Sequence, residues 1–220
     1  MVDDPTTLFL RSSPGSRAGS LPLVAGLLAL DFANTASGRG GPEHREHLRG
    51  VGDLLAWAHH AEVLGTAALA ETAALLRRQG RTAADALLAA ALRLRELLYI
   101  TGKALAAGDK PAPDLLAQLV AAHGANLAAA RLDASGGVFR LVWEPRQDVT
   151  GALIGPLTAS AMTLLTESEV RRVKQCAGNH CGWLFFDATK NGRRRWCEMS
   201  VCGNRAKQRA YRLRRSDGRA

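Results

Sequence analysis

Apolar residues recur at helical spacing through most of the chain. In DLLAWAHHAEVL, Leu54, Trp57, Ala61 and Leu64 share a face, with Asp53 placed to cap the helix and Gly65 to stop it. Thr66 opens a second helix that ends near Gly80. Thr82 opens a third, where Leu87, Leu88, Ala91, Leu92, Leu94, Leu98 and Ile100 form a wide stripe and Arg93, Arg95 and Glu96 lie off it. Gly102 is a candidate break in its run to Ala107. Pro111 and Pro113 punctuate the next connection, and Asp114 falls in the first turn of a fourth helix running to about Arg131. A fifth spans 150 to 168, with Pro156 near its start and Leu153, Leu157, Met162, Leu164 and Leu165 directed to the core. The period drops to two at GVFRLVWE, 137 to 144, where Val138, Arg140 and Val142 oppose Phe139, Leu141 and Trp143. A strand needs a partner, and residues 21 to 30 are candidates. The pattern predicts a mainly α, multihelical domain with a minor β element over residues 21–168. Residues 1–20 have no sustained periodicity and many turn formers, which predicts a flexible N-terminal segment.

Polar residues interrupt this pattern in few places. In LALDFANT, Asp31, Asn34 and Thr35 would share a helix face at i, i+3 and i+4. Such a cluster either braces neighbouring elements through hydrogen bonds or lines a pocket for a small-molecule effector. Residues 36–50 read as a Gly-rich connector carrying His44 and His47; no G-K-[ST] follows, so it is not a phosphate loop. His59, His60 and His123 have no carboxylate or Cys at catalytic spacing and read as boundary or core residues.

All four cysteines lie in residues 176–202, as two pairs: Cys176 with Cys181, and Cys197 with Cys202. Each pair encloses four residues and fifteen separate the pairs, a spacing that lets one chain place four thiolates around a single Zn2+. The alternative is two disulfides or unrelated thiols. Residues 1–20 carry no secretory signal, so a reducing, cytoplasmic setting is expected and disulfides are disfavoured. His180 is a rival ligand beside Cys181. Four thiolates close the coordination shell, so the expected ion is one structural zinc per chain and the chain is not expected to be an enzyme. No apolar run reaches the roughly 18 residues a bilayer requires, and no membrane partner is expected.

Charge separates the chain into two parts. Residues 171–220 hold 14 Lys/Arg against 3 Asp/Glu, a net +11, whereas residues 1–170 hold 15 against 17, a net −2. The cysteine segment therefore carries the whole basic excess. The joint, VRRVKQ from Val170, lacks Gly and Pro and predicts a rigid junction between residues 21–168 and a finger spanning 169–220.

The string Cys202-Gly203-Asn204-Arg205, preceded by RRRWCEMSV and CGWLFFDATKN, resembles the CGNR zinc finger family. LALDFANT at 28–35 resembles the early motif of the ABATE domain that commonly precedes that finger. The resemblance implies a bacterial, stress-induced transcription regulator with a zinc-dependent nucleic-acid-binding end.

Within the finger, Trp183, Leu184, Phe185, Phe186 and Trp196 are either a miniature core or a surface on which bases stack. DATKNGRRR, with its Asn-Gly turn, predicts a β-hairpin tip presenting Lys190, Arg193, Arg194 and Arg195 to phosphates. After Cys202 a basic helix is expected, with Arg205, Arg209 and Arg212 on one stripe and Lys207, Arg214 and Arg215 beside it. A four-cysteine ribbon running into a basic helix is analogous in architecture to GATA-type fingers. The sequence thus predicts a zinc-finger DNA-binding transcription regulator whose helical body senses an effector or forms a homodimer. The rival is a zinc-stabilised protein-interaction module that does not touch nucleic acid.

Overall fold

A computed structural model describes residues 9–39, 41–134 and 137–217. It holds seven α-helices, α1 (Leu28–Ala33), α2 (Val51–His60), α3 (Thr66–Gln79), α4 (Arg81–Ala107), α5 (Pro113–Leu127), α6 (Val149–Thr166) and α7 (Asn204–Asp217). Three two-stranded antiparallel ribbons accompany them: β1 (Ala36–Ser37) with β2 (Arg45–Glu46), β3 (Arg131–Asp133) with β4 (Arg140–Val142), and β5 (Val173–Gln175) with β6 (Leu184–Phe186).

The axis of the fold is α4, whose buried Ala84, Leu87, Ala91, Leu94, Leu98 and Thr101 follow the three-and-four spacing of one helix face. It packs against α1, α2, α3, α5 and α6, and also against β5 and β6 of the cysteine segment. Gly102 does not break it. A Cβ there would lie 2.7 Å from Leu184 Cδ1, so the glycine lets β6 approach the helix. The fifth predicted helix, α6, lies within the core; Asp148 caps it by accepting from Thr150 N at 2.9 Å. By length and composition α6 could cross a bilayer, contrary to the expectation from apolar runs, but 56% of it is buried against the rest of the fold. The indole of Trp143 fills the space a side chain on Gly155 would need, and its Nε1 donates to Asn126 O at 2.8 Å, tying α5, β4 and α6 together.

Several expectations are corrected. The strand near 137–144 is shortened to β4, and its partner is β3, with Leu132 opposite Leu141, not residues 21–30. The fourth helix stops at Leu127, which frees Arg131 for that pairing. Residues 9–20 are not a loose lead-in, while residues 1–8 of that expected segment lie outside the described residues. Ser13 donates through its backbone N (2.8 Å) and Oγ (2.7 Å) to the buried carboxylate of Asp53, and the 3-10 turn Ala18–Ser20 packs on α2. Asp53 therefore sits in the first turn of α2 and fastens another segment instead of capping its own helix. Burial opposes its charge, but hydrogen bonds from Ser16, Ser13 and Arg49 outweigh burial and hold its pKa below the usual carboxylate value.

The 36–50 connector is a pinned hairpin. Both Glu46 oxygens accept from the buried guanidinium of Arg95 at 2.6 Å, a bidentate pair. His47 and Ser37 meet at 2.9 Å; His59 bonds locally to Leu64 O, while His60 and His123 reach across to Leu21 O and Thr158 Oγ1.

Candidate metal centre and nucleic-acid interface

Cys176 directly follows β5, and a short loop returns the chain through Cys181 to β6. The loop turns sharply because His180 and Gly182 take positive φ, 58° and 71°. Cys197 follows the loop after β6, and Cys202 lies in a π-helical turn, Met199–Gly203, that leads directly into α7. Ala177 N donates to Arg195 O at 2.9 Å and joins the two cysteine loops.

The four Sγ atoms lie within 4.8 Å of one another, with Cys181 to Cys197 at 3.7 Å and Cys197 to Cys202 at 3.6 Å. A tetrahedron with Zn–S bonds of about 2.3 Å has S···S edges of about 3.8 Å, so the thiols already stand near coordination geometry. A Cβ on Gly178 would come within 3.2 Å of Cys202 Sγ and 3.3 Å of Cys176 Sγ, so this position admits only a bare backbone. Gly178 N and Cys197 N donate to Cys176 Sγ at 3.4 and 3.3 Å, as suits a sulfur carrying negative charge. Hydrogen bonds from the Cys181 and Cys197 thiols draw Cys176 down to about 2, while bonding to Cys176 pushes Cys181 up to about 12 and Cys197 higher still. The close thiols compete for one another's protons, and a bound dication would let all four ionise. The residues fit one zinc ion bound by Cys176, Cys181, Cys197 and Cys202. His180 is exposed and stands outside the cluster.

This centre is part of the body's core. Leu184 and Phe185 are fully buried and belong to the same apolar cluster as Leu30, Phe32 and Leu98. The outer edge of β6 would otherwise be an unpaired strand edge. Asn34 closes it with two 2.8 Å bonds to the N and O of Leu184, and Ala25 O accepts from Phe186 N at 2.8 Å. Tyr99 on α4 donates to Gly182 O at 3.1 Å and accepts from Gln175 Nε2 at 3.1 Å, and Gly38 N reaches Cys181 O at 3.1 Å. The finger is thus packed against the helical body on both sides of the joint.

These contacts support the bracing reading of Asp31, Asn34 and Thr35. Asn34 is committed to Leu184, Thr35 Oγ1 donates to Phe32 O at 2.7 Å, and Asp31 accepts from Ala25 N at 2.9 Å. The three brace the finger and its flanks. Burial raises Asp31 to about 6 despite hydrogen bonds from Ala25 and Val24 and the nearby Arg194, which pull the other way.

The segment after β6 is not a β-hairpin. It is gathered around Asp187, which is wholly buried and accepts from Lys174 Nζ (2.6 Å), Thr189 N (3.0 Å), Thr189 Oγ1 (2.5 Å) and Arg194 N (2.9 Å). Burial opposes the charge, yet these donors hold Asp187 far below the usual carboxylate range. Lys174 and Arg172 are internal braces that spacing alone did not reveal; Arg172 donates to Asp187 O and Thr189 O at 3.1 and 2.8 Å.

Arg194 is also turned inward, which removes it from the expected phosphate contacts. Its guanidinium lies 4.3 Å from the Phe185 ring centroid and donates to Val24 O (2.8 Å), Trp196 O (3.0 Å) and Cys197 O. The other nine candidates, Lys190, Arg193, Arg195, Arg205, Lys207, Arg209, Arg212, Arg214 and Arg215, are exposed. Helix α7 packs on the π-helical turn and otherwise faces solvent, including Tyr211 and Leu213, each 55% exposed.

A multihelical domain that takes a four-cysteine zinc finger into its own core, and ends in a basic helix grown from the last cysteine loop, is the class of protein these residues define. Residues 26–168 match the ABATE family model, described as "Putative stress-induced transcription regulator", and residues 172–215 match the CGNR zinc finger. The first match covers well over half of the chain, which belongs to the ABATE family and carries the CGNR finger after it. No curated protein matches the chain.

Proposed function

We propose that this protein is a DNA-binding transcription regulator, without catalytic activity, that works in the cytoplasm and contacts DNA through α7 and the basic loop before Cys197. One observation carries the reading: nine exposed cations converge on a zinc-anchored helix and the adjoining loop, with no acidic residue in α7 before Asp217. A rigid helix supports oriented arginine contacts to bases, whereas loop cations supply affinity through phosphates. The helical body would serve in sensing or in pairing two chains.

If about six of these cations meet phosphates, affinity falls roughly 10³-fold between 50 and 200 mM salt. A salt titration of the zinc-loaded protein on random duplex DNA and on RNA tests this. Flat, weak binding to both would favour the protein-interaction reading, which is supported by the exposed Met199, Val201, Tyr211 and Leu213 on and before α7.

A further inference from the structure

Between the loop that follows Asn191 and the foot of α7 the surface opens into a groove of about 640 Å3, whose lining includes Val24, Arg193, Arg195, Trp196, Glu198 and Met199. Arg194 is turned inward here, while Arg193 and Arg195 on either side of it are exposed. Trp196 is half-buried, unlike the fully buried Leu184 and Phe185. A Cβ on Gly203 would lie 3.2 Å from Trp196 Cδ1, and the Met199 thioether occupies the space beside it, so the indole is propped from beneath. The Arg195 guanidinium lies over the indole ring, 5.5 Å from its centroid.

We propose that this groove accepts an unpaired nucleobase, stacked on Trp196, with the flanking phosphates on Arg193 and Arg195. The inference rests on the nucleic-acid reading above and narrows its ligand. The indole suits the face of any base once the Arg195 guanidinium above it turns to the phosphates, and two exposed guanidiniums suit a polyanion and disfavour an uncharged apolar partner. The volume is ample for one nucleotide. Glu198, which also lines the groove and accepts from Ser200 Oγ at 2.5 Å, repels phosphate and leaves the phosphates to Arg193 and Arg195. Its carboxylate also offers an acceptor to an exocyclic amine, which favours an amino-bearing base over thymine.

The test compares the full zinc-loaded chain on a 25-bp duplex, the same duplex with one bulged cytosine, and the single strand. The bulged duplex should bind about 5- to 100-fold more tightly than the perfect one, the span that stacking one base provides. Trp196→Leu, which keeps an apolar side chain at this position, should abolish that preference, read as the ratio of bulged-duplex to perfect-duplex affinity of the same variant. Should that variant fail to hold zinc, 2-aminopurine placed at the bulge serves instead, and its emission should fall when the wild-type protein binds. Equal affinity for bulged and perfect duplexes, a preference that survives Trp196→Leu, or unquenched 2-aminopurine would overturn the groove assignment while duplex binding stood. Failure to bind any of the three would remove the nucleic-acid reading as well.

Discussion

Asn34 and Leu184 exchange two hydrogen bonds, each 2.8 Å long, across 150 residues of sequence. The amide side chain stands in for a strand, giving one donor and one acceptor to the free edge of β6. Asn34→Ala would leave a buried N–H and a buried C=O without partners, and should cost about 2–4 kcal/mol in a urea melt of the zinc-loaded protein. Asn34→Asp keeps the acceptor and loses the donor, so it should be destabilising as well. Wild-type stability in both variants would mean that β6 does not depend on this edge.

Loss of zinc should unfold more than the finger. Leu184 packs on α4 at Gly102, and Phe185 shares the central core. Cys197→Ser, or a strong chelator, should therefore lower the far-ultraviolet helical signal and the melting temperature of the whole chain in one transition. Two separate transitions, with the upper one unaffected by chelator, would show that the body stands alone.

The three consecutive arginines should behave differently on substitution. Arg195→Ala removes an exposed cation and should weaken binding to all DNA sequences alike, flattening the salt dependence by about one unit of slope. Arg194→Ala removes a guanidinium stacked on Phe185 and bonded to three carbonyls, so its chief effect should be a loss of about 2–4 kcal/mol in folding. Thermal melts read beside salt titrations separate the two. Equal melting temperatures for the two variants would return Arg194 to the surface.

Asp31 gives a pH signature of its own. Its folded pKa is raised to about 6, mainly by burial, so the folded state binds a proton more tightly than the unfolded chain. Its ionisation therefore takes stability away as pH rises from about 4 through 6, and the deficit is complete at neutral pH. Asp31→Asn keeps an acceptor for Ala25 N and should melt higher than wild type at pH 7, with the difference vanishing near pH 4. A constant difference across that range would remove the titration of Asp31 as its source.

Much of this architecture could be read along the chain. The helical stripes gave α2 to α6 within a few residues, because a 3.6-residue period is a local property, and the cysteine spacing gave the metal centre because two tight loops must each present a pair. What could not be read was which distant backbone each polar residue answers. Asn34 looks like any cluster member until Leu184 is placed beside it, and Arg194 is chemically identical to Arg193 and Arg195 until the chain direction turns it inward. Gly102 reads as a helix breaker in one dimension and proves to be a point of close approach in three. The serines before Asp53 looked like linker composition, yet their hydrogen bonds to one buried carboxylate fix the segment in place.

The approach of Leu184 to Gly102 also bears on how the protein is made. A chain synthesised from its N-terminus emits α1 and α4 long before the strand that covers them, so the nascent helical body carries an open apolar seam. That seam closes only after both cysteine loops have emerged, so the last segment to be made completes the core of the first.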